Sequence, residues 1–132
     1  MSKIAEISVV CLGNICRSPL AQGVVQDLVN QEKLDQKIIV TSAGTGGWHI
    51  GDLPDERMRQ TAQSKGIKLE SRARQFQSAD FNRFNLVLAM DHSNLARLEE
   101  IAPSNLPPEK LMLLRSFDPE CNDDQDVLDP YY

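Results

Sequence analysis

The 132-residue sequence predicts an α/β fold, a doubly wound four-stranded parallel sheet flanked by helices. Two observations predict it. Short apolar runs rich in strand-forming residues alternate along the chain with segments of helical spacing. No linker or repeat interrupts this alternation, so we expect a single domain over residues 1–132. Sheets of this kind are built from right-handed βαβ units and bind ligands beyond the carboxyl ends of their strands.

The first two elements flank a short loop. The β-branched apolar run at residues 7–10 predicts a strand. After the loop, a helix is predicted to reach about residue 31, with Ser18 as its N-cap. Val24 and Leu28 belong to a repeat of apolar residues every four positions, which predicts one broad apolar face on this helix.

The remaining elements continue the alternation. The same patterns predict a strand at 37–41, a helix at 55–64 that ends at Gly66, a strand at 86–90, a helix at 93–101 and a strand at 111–114. The run at 86–90 is apolar without interruption, which is typical of a strand buried on both faces.

Composition and charge exclude several classes of protein. The chain is 41% hydrophobic and 25% charged, which is ordinary for a soluble globular protein. It contains no run near the ~18 apolar residues of a membrane span and no signal peptide, so we expect a cytoplasmic protein without membrane contact. The net charge of −5 arises in residues 118–132, which hold six acids and no base. The rest is nearly neutral and has no basic stripe for nucleic acid.

The loop between the first strand and the first helix has the composition of an anion site. Backbone N–H groups of a tight loop and a helix N-terminus together attract a phosphoryl group. Arg17 can bind two phosphoryl oxygens at once, and the positive surroundings favour a thiolate at Cys11. Ser18 can donate a hydrogen bond to that sulfur. The predicted phosphate-binding residues are Leu12, Gly13, Asn14, Ile15, Cys16, Arg17 and Ser18.

Each cysteine also has a structural interpretation. Cysteine is often inert and buried, but Cys-x5-Arg followed by Ser has a chance probability of roughly 0.01–0.02 in this composition, and the requirement for a strand before it and a helix after it lowers that probability again. That favours Cys11 as a nucleophile. Cys16 is either a redox partner that captures Cys11 as a reversible disulfide or a small buried residue, and both interpretations stay open. No second cysteine pair accompanies these two, so we expect no metal and no cofactor.

Cleavage of a phosphate ester also requires a proton donor for the leaving oxygen. His49 and His92 are candidates, and so are two aspartates of the acidic end, Asp118 and Asp129. Both aspartates precede proline, and the residues alone do not choose between them. Two tyrosines follow Pro130 and would suit the wall of a slot for an aromatic ring.

These residues resemble those of a known family. Residues 10–19 are similar to the signature loop of the low-molecular-weight protein tyrosine phosphatases. The resemblance continues through further segments: 41–45, 48–55, 73–75, 90–94 and 129–132. It therefore covers nearly the whole chain.

The resemblance implies a fold, a reaction and residue roles. The fold is phosphotyrosine phosphatase I-like, and the reaction hydrolyses phosphotyrosine and other aryl phosphate monoesters through a phosphocysteine, without a metal. The implied catalytic residues are Cys11, Arg17 and Asp129, with Asp129 first protonating the leaving phenol and then activating water. Further residues match supporting positions (Ser18, Asn14, Ser42, and Asp91 as a buried support below the loop) and the substrate cleft (Trp48, Tyr131, Tyr132). The implied partners are phosphotyrosine proteins or aryl phosphates, with phosphate and other oxyanions as inhibitors.

Two departures and three alternatives accompany the resemblance. Ser71 stands where many members carry a histidine, so we expect weaker support behind the loop. Members continue past the final tyrosines into a helix, so we expect a truncated domain without its C-terminal helix. The alternatives are a thiol-dependent arsenate reductase, disfavoured because residues 80–94 hold no cysteine, a non-catalytic phosphate-binding module, and a phosphatase acting mainly on small aryl phosphates.

Overall fold

A computed structural model describes residues 4–119 and 126–127 and contains the predicted sheet. Its strands are β1 (Ala5–Cys11), β2 (Ile38–Gly44), β3 (Leu86–Ala89) and β4 (Leu111–Leu113). They are all parallel, in the order β2-β1-β3-β4. The α/β fold class is confirmed, and the order reverses on either side of β1, which places the switch point at the carboxyl end of β1.

Three α-helices accompany the sheet: α1 (Arg17–Gln31), α2 (Glu56–Ser64) and α3 (His92–Ile101). The shorter 3-10 helices are Ser78–Asn82, Pro108–Lys110 and Leu114–Phe117. Helix α2 begins after Asp55, whose carboxylate accepts the Met58 N–H, and it ends before Gly66 at φ 78°. Within the described residues, no helix combines the length and the apolar character needed to cross a bilayer.

Helices α1 and α3 cover opposite faces of the sheet. Ala21 of α1 packs against a cluster formed by Val9, Cys11, Leu88 and Met90. Leu98 of α3 is buried in the other cluster, where alternate strand residues meet the rings of the segment 76–84. β1 is an interior strand of the sheet, and its side chains pack into both clusters. Its last residue, Cys11, is therefore held from both faces of the sheet.

Two details of α1 differ from the prediction. The helix begins at Arg17 with Cys16 as its N-cap, so the prediction of Ser18 as the N-cap was wrong. The Ser18 hydroxyl is taken by partners inside the loop and is not available to cap the helix. Val24 and Leu28 are 40% and 54% exposed, because the face that packs on the sheet is the neighbouring one with Ala21 and Val29.

The sheet also extends further toward the loop than predicted. β1 and β2 pair in register from Ala5 opposite Ile38 to Cys11 opposite Gly44, so β2 runs three residues past its predicted end. An isolated parallel bridge between Gly44 and Gln75 continues this edge. The carboxyl ends of β1 and β2 are therefore paired up to the last residue of each strand.

Candidate active site

The loop between β1 and α1 is attached to the end of β2. The Cys11 and Leu12 carbonyls accept hydrogen bonds from the N–H groups of Thr45 (2.8 Å) and Gly46 (2.9 Å). The loop then reverses at Asn14, whose φ of 58° lies in the left-handed region that asparagine tolerates better than most residues. The attachment to β2 and the turn at Asn14 together bring the loop back over the sulfur of Cys11.

The Cys11 sulfur has two hydrogen-bond partners. Its Sγ lies 3.0 Å from Ser18 Oγ and accepts a hydrogen bond from the Asn14 N–H at 3.2 Å. The Cys11 residue is 3% exposed and Ser18 is fully buried. The predicted proximity of Ser18 to the sulfur is thus present in the structure.

A buried amide organises the loop from inside. Asn14 Nδ2 donates to Ser18 Oγ at 2.8 Å and to Ser42 Oγ at 3.0 Å. Its Oδ1 accepts the Arg74 N–H at 2.9 Å, so every polar atom of this amide is used. Asn14 and Ser42, both supporting residues by the family resemblance, are joined directly by a hydrogen bond.

The network ends at Gln22, a residue that the sequence patterns did not single out. Ser42 Oγ donates to Gln22 Oε1 at 2.7 Å, and Gln22 Nε2 donates to the Val40 carbonyl at 3.3 Å. Ser71 lines the same surface cleft as Gln22. The signal was present in the sequence, because Gln22 lies one helical turn after Ser18 and therefore on the same side of α1.

Arg17 is held in place by a carboxylate and a carbonyl. Its Nη1 donates to Asp91 Oδ2 at 2.7 Å and to the Val127 carbonyl at 2.8 Å. The Arg17 side chain is 5% exposed and that of Asp91 19%, so Asp91 is half-buried where the resemblance implied a buried residue. Asp91 Oδ1 also accepts the Asn94 N–H at 2.7 Å and caps α3. Asp91 therefore connects the guanidinium to the start of α3.

Trp48 and His49 lie near the mouth of the loop. Trp48 is 74% exposed, and together with Leu12 it borders a cleft of about 430 Å³ that extends to Arg97 on α3. The His49 ring packs on Gly13, since a Cβ built there would lie 3.2 Å from His49 Cδ2. His49 Nδ1 is 3.2 Å from a carboxylate oxygen of Asp52.

Several residues predicted for the site lie away from the loop or outside the described residues. His92 begins α3 and contacts Asp126, while Asp118 is exposed after the last 3-10 helix. Asp129, Tyr131, Tyr132 and Cys121 lie outside the described residues. Cys16 is 6% exposed, and no disulfide joins it to Cys11. Among residues 4–119 and 126–127, no three His, Cys, Asp or Glu side chains are grouped to hold a metal ion.

Known proteins similar to this chain identify its family. The family model described as low molecular weight phosphotyrosine protein phosphatase matches residues 6–132. A low molecular weight protein-tyrosine-phosphatase of Streptomyces coelicolor is 43% identical over 128 residues, which cover 96% of this chain and 78% of that protein.

Solved structures share the fold. The crystal structure of YfkJ from Bacillus subtilis superposes with a TM-score of 0.93 at 36% identity, covering 99% of this chain and 82% of the other. Vibrio vulnificus Wzb in complex with benzylphosphonate superposes with a TM-score of 0.80 at 30% identity, covering 97% and 82%. The chain therefore belongs to the low molecular weight phosphotyrosine protein phosphatase family and is an enzyme of the protein-tyrosine-phosphatase class.

Proposed function

We propose that the chain hydrolyses phosphotyrosine and other aryl phosphate monoesters in two steps, with a phosphocysteine at Cys11 as the intermediate. The observation that carries this proposal is the setting of the sulfur. Cys11 Sγ lies under a backbone N–H and beside the Ser18 hydroxyl, at the N-terminal end of α1. Both donors and the helix end stabilise a thiolate, which is the nucleophilic form of cysteine.

In the first step, the thiolate of Cys11 attacks phosphorus and the bond from phosphorus to the phenolic oxygen breaks. The electron pair of that bond passes to the leaving oxygen, and the carboxylic acid of Asp129 supplies its proton. The products are a phenol, a phosphocysteine and the carboxylate of Asp129.

In the second step, water attacks the phosphocysteine. The Asp129 carboxylate takes a proton from the water, the phosphorus–sulfur bond breaks, and inorganic phosphate leaves. The Ser18 hydroxyl, 3.0 Å from the sulfur, stabilises the departing thiolate by donating a hydrogen bond. The cycle returns Cys11 as a thiolate and Asp129 as an acid.

Arg17 and the loop N–H groups are proposed to hold the phosphoryl oxygens in both steps. Asp91 and the Val127 carbonyl fix the guanidinium, which is the preorganisation that transition-state stabilisation requires. Phosphate and other oxyanions should then inhibit by occupying the loop, and the benzylphosphonate complex of the Vibrio relative supports oxyanion binding. Exposed Trp48 at the mouth would contact the aromatic ring of phosphotyrosine proteins or small aryl phosphates.

Trapping the intermediate tests the proposal. Acid quenching during turnover of an aryl phosphate labelled in its phosphoryl group should leave the label on the native protein and none on Cys11→Ser. The variant should lose turnover yet retain vanadate binding, since the other loop atoms are unchanged. Turnover by Cys11→Ser near the native rate would rule out the nucleophile. Asp129→Asn should slow the hydrolysis of poor leaving groups more than that of good ones, and equal slowing of both would rule out Asp129 as the acid.

Cys16 is proposed to protect the nucleophile in a cytoplasmic, reducing environment. Peroxide would oxidise Cys11 to a sulfenic acid, and the Cys16 thiol would then form a disulfide with release of water. Peroxide-treated protein should recover activity with added thiol, and Cys16→Ser should recover less. Equal recovery would assign Cys16 to its other interpretation, a small buried residue that caps α1.

A further inference from the structure

Residues 126–127 cross the carboxyl edge of the sheet and are held there by the backbone. The Val127 N–H donates to the Met90 carbonyl just past β3 at 2.7 Å, and its carbonyl accepts from Arg17 at 2.8 Å. The Val127 side chain packs against the cluster that contains Cys11 and Met90. This two-residue segment thus lies against both the phosphate-binding arginine and the nucleophile's own cluster.

Asp126 attaches the same segment to α3. Its Oδ1 accepts the His92 N–H at 2.8 Å and lies 2.7 Å from Nδ1 of the same histidine. The His92 N–H is the first of the helix, and a carboxylate at that end is favoured by the helix dipole as well as by the hydrogen bond. The Asp126 carbonyl accepts from Arg115 Nη1 at 2.9 Å.

We propose that Asp126 is a positioning residue for proton transfer by Asp129. Only Leu128 separates Asp129 from Val127, so the Cα atoms of Val127 and Asp129 lie at most about 7 Å apart. By fixing residues 126–127 to α3, the Asp126 carboxylate limits the positions from which Asp129 can reach the leaving oxygen. This inference rests on the proposed function and adds a residue that the phosphate loop and its resemblance do not contain.

The charges around Asp126 explain why its carboxylate can serve this purpose. Asp91, the other carboxylate at the start of α3, is neutralised by Arg17 at 2.7 Å. Asp126 is 30% exposed and His92 57%, so water weakens the pair and the expected effect is moderate. We expect about a fivefold loss of kcat/KM on removal of the carboxylate, which corresponds to about 1 kcal/mol.

The test compares two substrates that differ in their need for a proton. In Asp126→Ala, kcat/KM for phenyl phosphate, a poor leaving group, should fall about fivefold, and that for p-nitrophenyl phosphate less than twofold. Vanadate inhibition should stay within twofold, because Asp91 still holds the Arg17 guanidinium and the residues of the loop are unchanged. Asp126→Asn should recover part of the loss, because its amide oxygen can still accept the His92 N–H. Asp35→Ala removes an exposed acid far from this edge and should match the native chain.

A double-mutant cycle separates positioning from general stability. If Asp126 acts through Asp129, then Asp126→Ala should cause no further loss in an Asp129→Asn background. Equal losses for both substrates, or a full fivefold loss in that background, would overturn the inference. If the single variant Asp129→Asn shows no leaving-group dependence, Asp129 is not the acid. That result would also overturn the inference about Asp126, and it needs no Asp126 variant.

Discussion

A single methyl group added at Gly44 should displace the backbone of the phosphate loop. It is the last residue of β2, and a Cβ built there lies 2.7 Å from the Leu12 carbonyl oxygen and 3.1 Å from the Gly13 carbonyl carbon. Gly44 cannot retreat, because its N–H donates to the Arg74 carbonyl at 2.8 Å and its carbonyl accepts from Phe76 at 2.7 Å. An alanine at this position therefore has to displace the loop backbone.

The size of the effect follows from that overlap. The Leu12 carbonyl must move by about 0.7 Å to bring the 2.7 Å contact to an ordinary 3.4 Å. Overpacking of this kind costs about 1–3 kcal/mol of stability. A displacement near 1 Å in a catalytic site costs roughly a hundredfold in rate. We expect Gly44→Ala to lower kcat/KM about 30-fold and to weaken vanadate inhibition by a similar factor.

The assay is steady-state hydrolysis of p-nitrophenyl phosphate with vanadate inhibition, alongside thermal unfolding. Gly66→Ala is the matched control. Gly66 has a φ of 78° with no atom within 4 Å of the added Cβ, so alanine adds strain of about 1–2 kcal/mol and no contact. It should lower Tm while leaving kcat/KM within twofold. A Gly44→Ala enzyme with native kcat/KM would refute the claim that this glycine sets the loop position.

Three further substitutions probe the loop and its support. Arg17→Lys should lower kcat/KM about a hundredfold, because an ammonium cannot bind two phosphoryl oxygens in one plane, and a loss below threefold would contradict that role. Asn14→Ala removes three hydrogen bonds, two of them buried and one partly buried, and should lower the free energy of unfolding in urea by about 2–4 kcal/mol, whereas native stability would show that water replaces them. Gln22→Ala leaves the Ser42 hydroxyl without its acceptor and should cost about 1 kcal/mol in the same measurement. Gln26→Ala, on the next turn, should cost less than half of that, and equal costs would assign the Gln22 effect to the helix alone.

The periodicity of apolar residues was sufficient to predict the strands and helices of this fold, because each element has a local pattern. The β-branched run before Cys11 and the uninterrupted apolar run before Met90 specify buried strands, and the spacing after residue 92 specifies a helix. The site loop was equally local, since Cys11, Arg17 and Ser18 lie within eight consecutive residues. A loop of that length between a strand and a helix has few ways to close, so its chemistry could be proposed from the sequence alone.

Helix packing and long-range hydrogen bonds could not be predicted from such local patterns. The face on which α1 packs could not be chosen, because apolar residues such as Val24 and Val25 occupy adjacent sides, and only contact with the sheet distinguishes them. Ser18 was also assigned to the helix cap because its type suits one, but its hydroxyl contacts the Cys11 sulfur, as predicted, and accepts from the Asn14 amide instead of capping α1.

The sequence by itself determined the alternation of strands and helices along the chain and the position of the loop at a strand end, and it predicted the reactive residues within that loop. Those properties depend on side chains close together in the chain. Tertiary structure alone decided that Asp91 holds Arg17, that Gln22 completes the network of Ser42 and that Asp126 is attached to α3. These contacts join atoms distant in sequence, and they form only where the packing of the sheet and helices brings their backbones within hydrogen-bond distance.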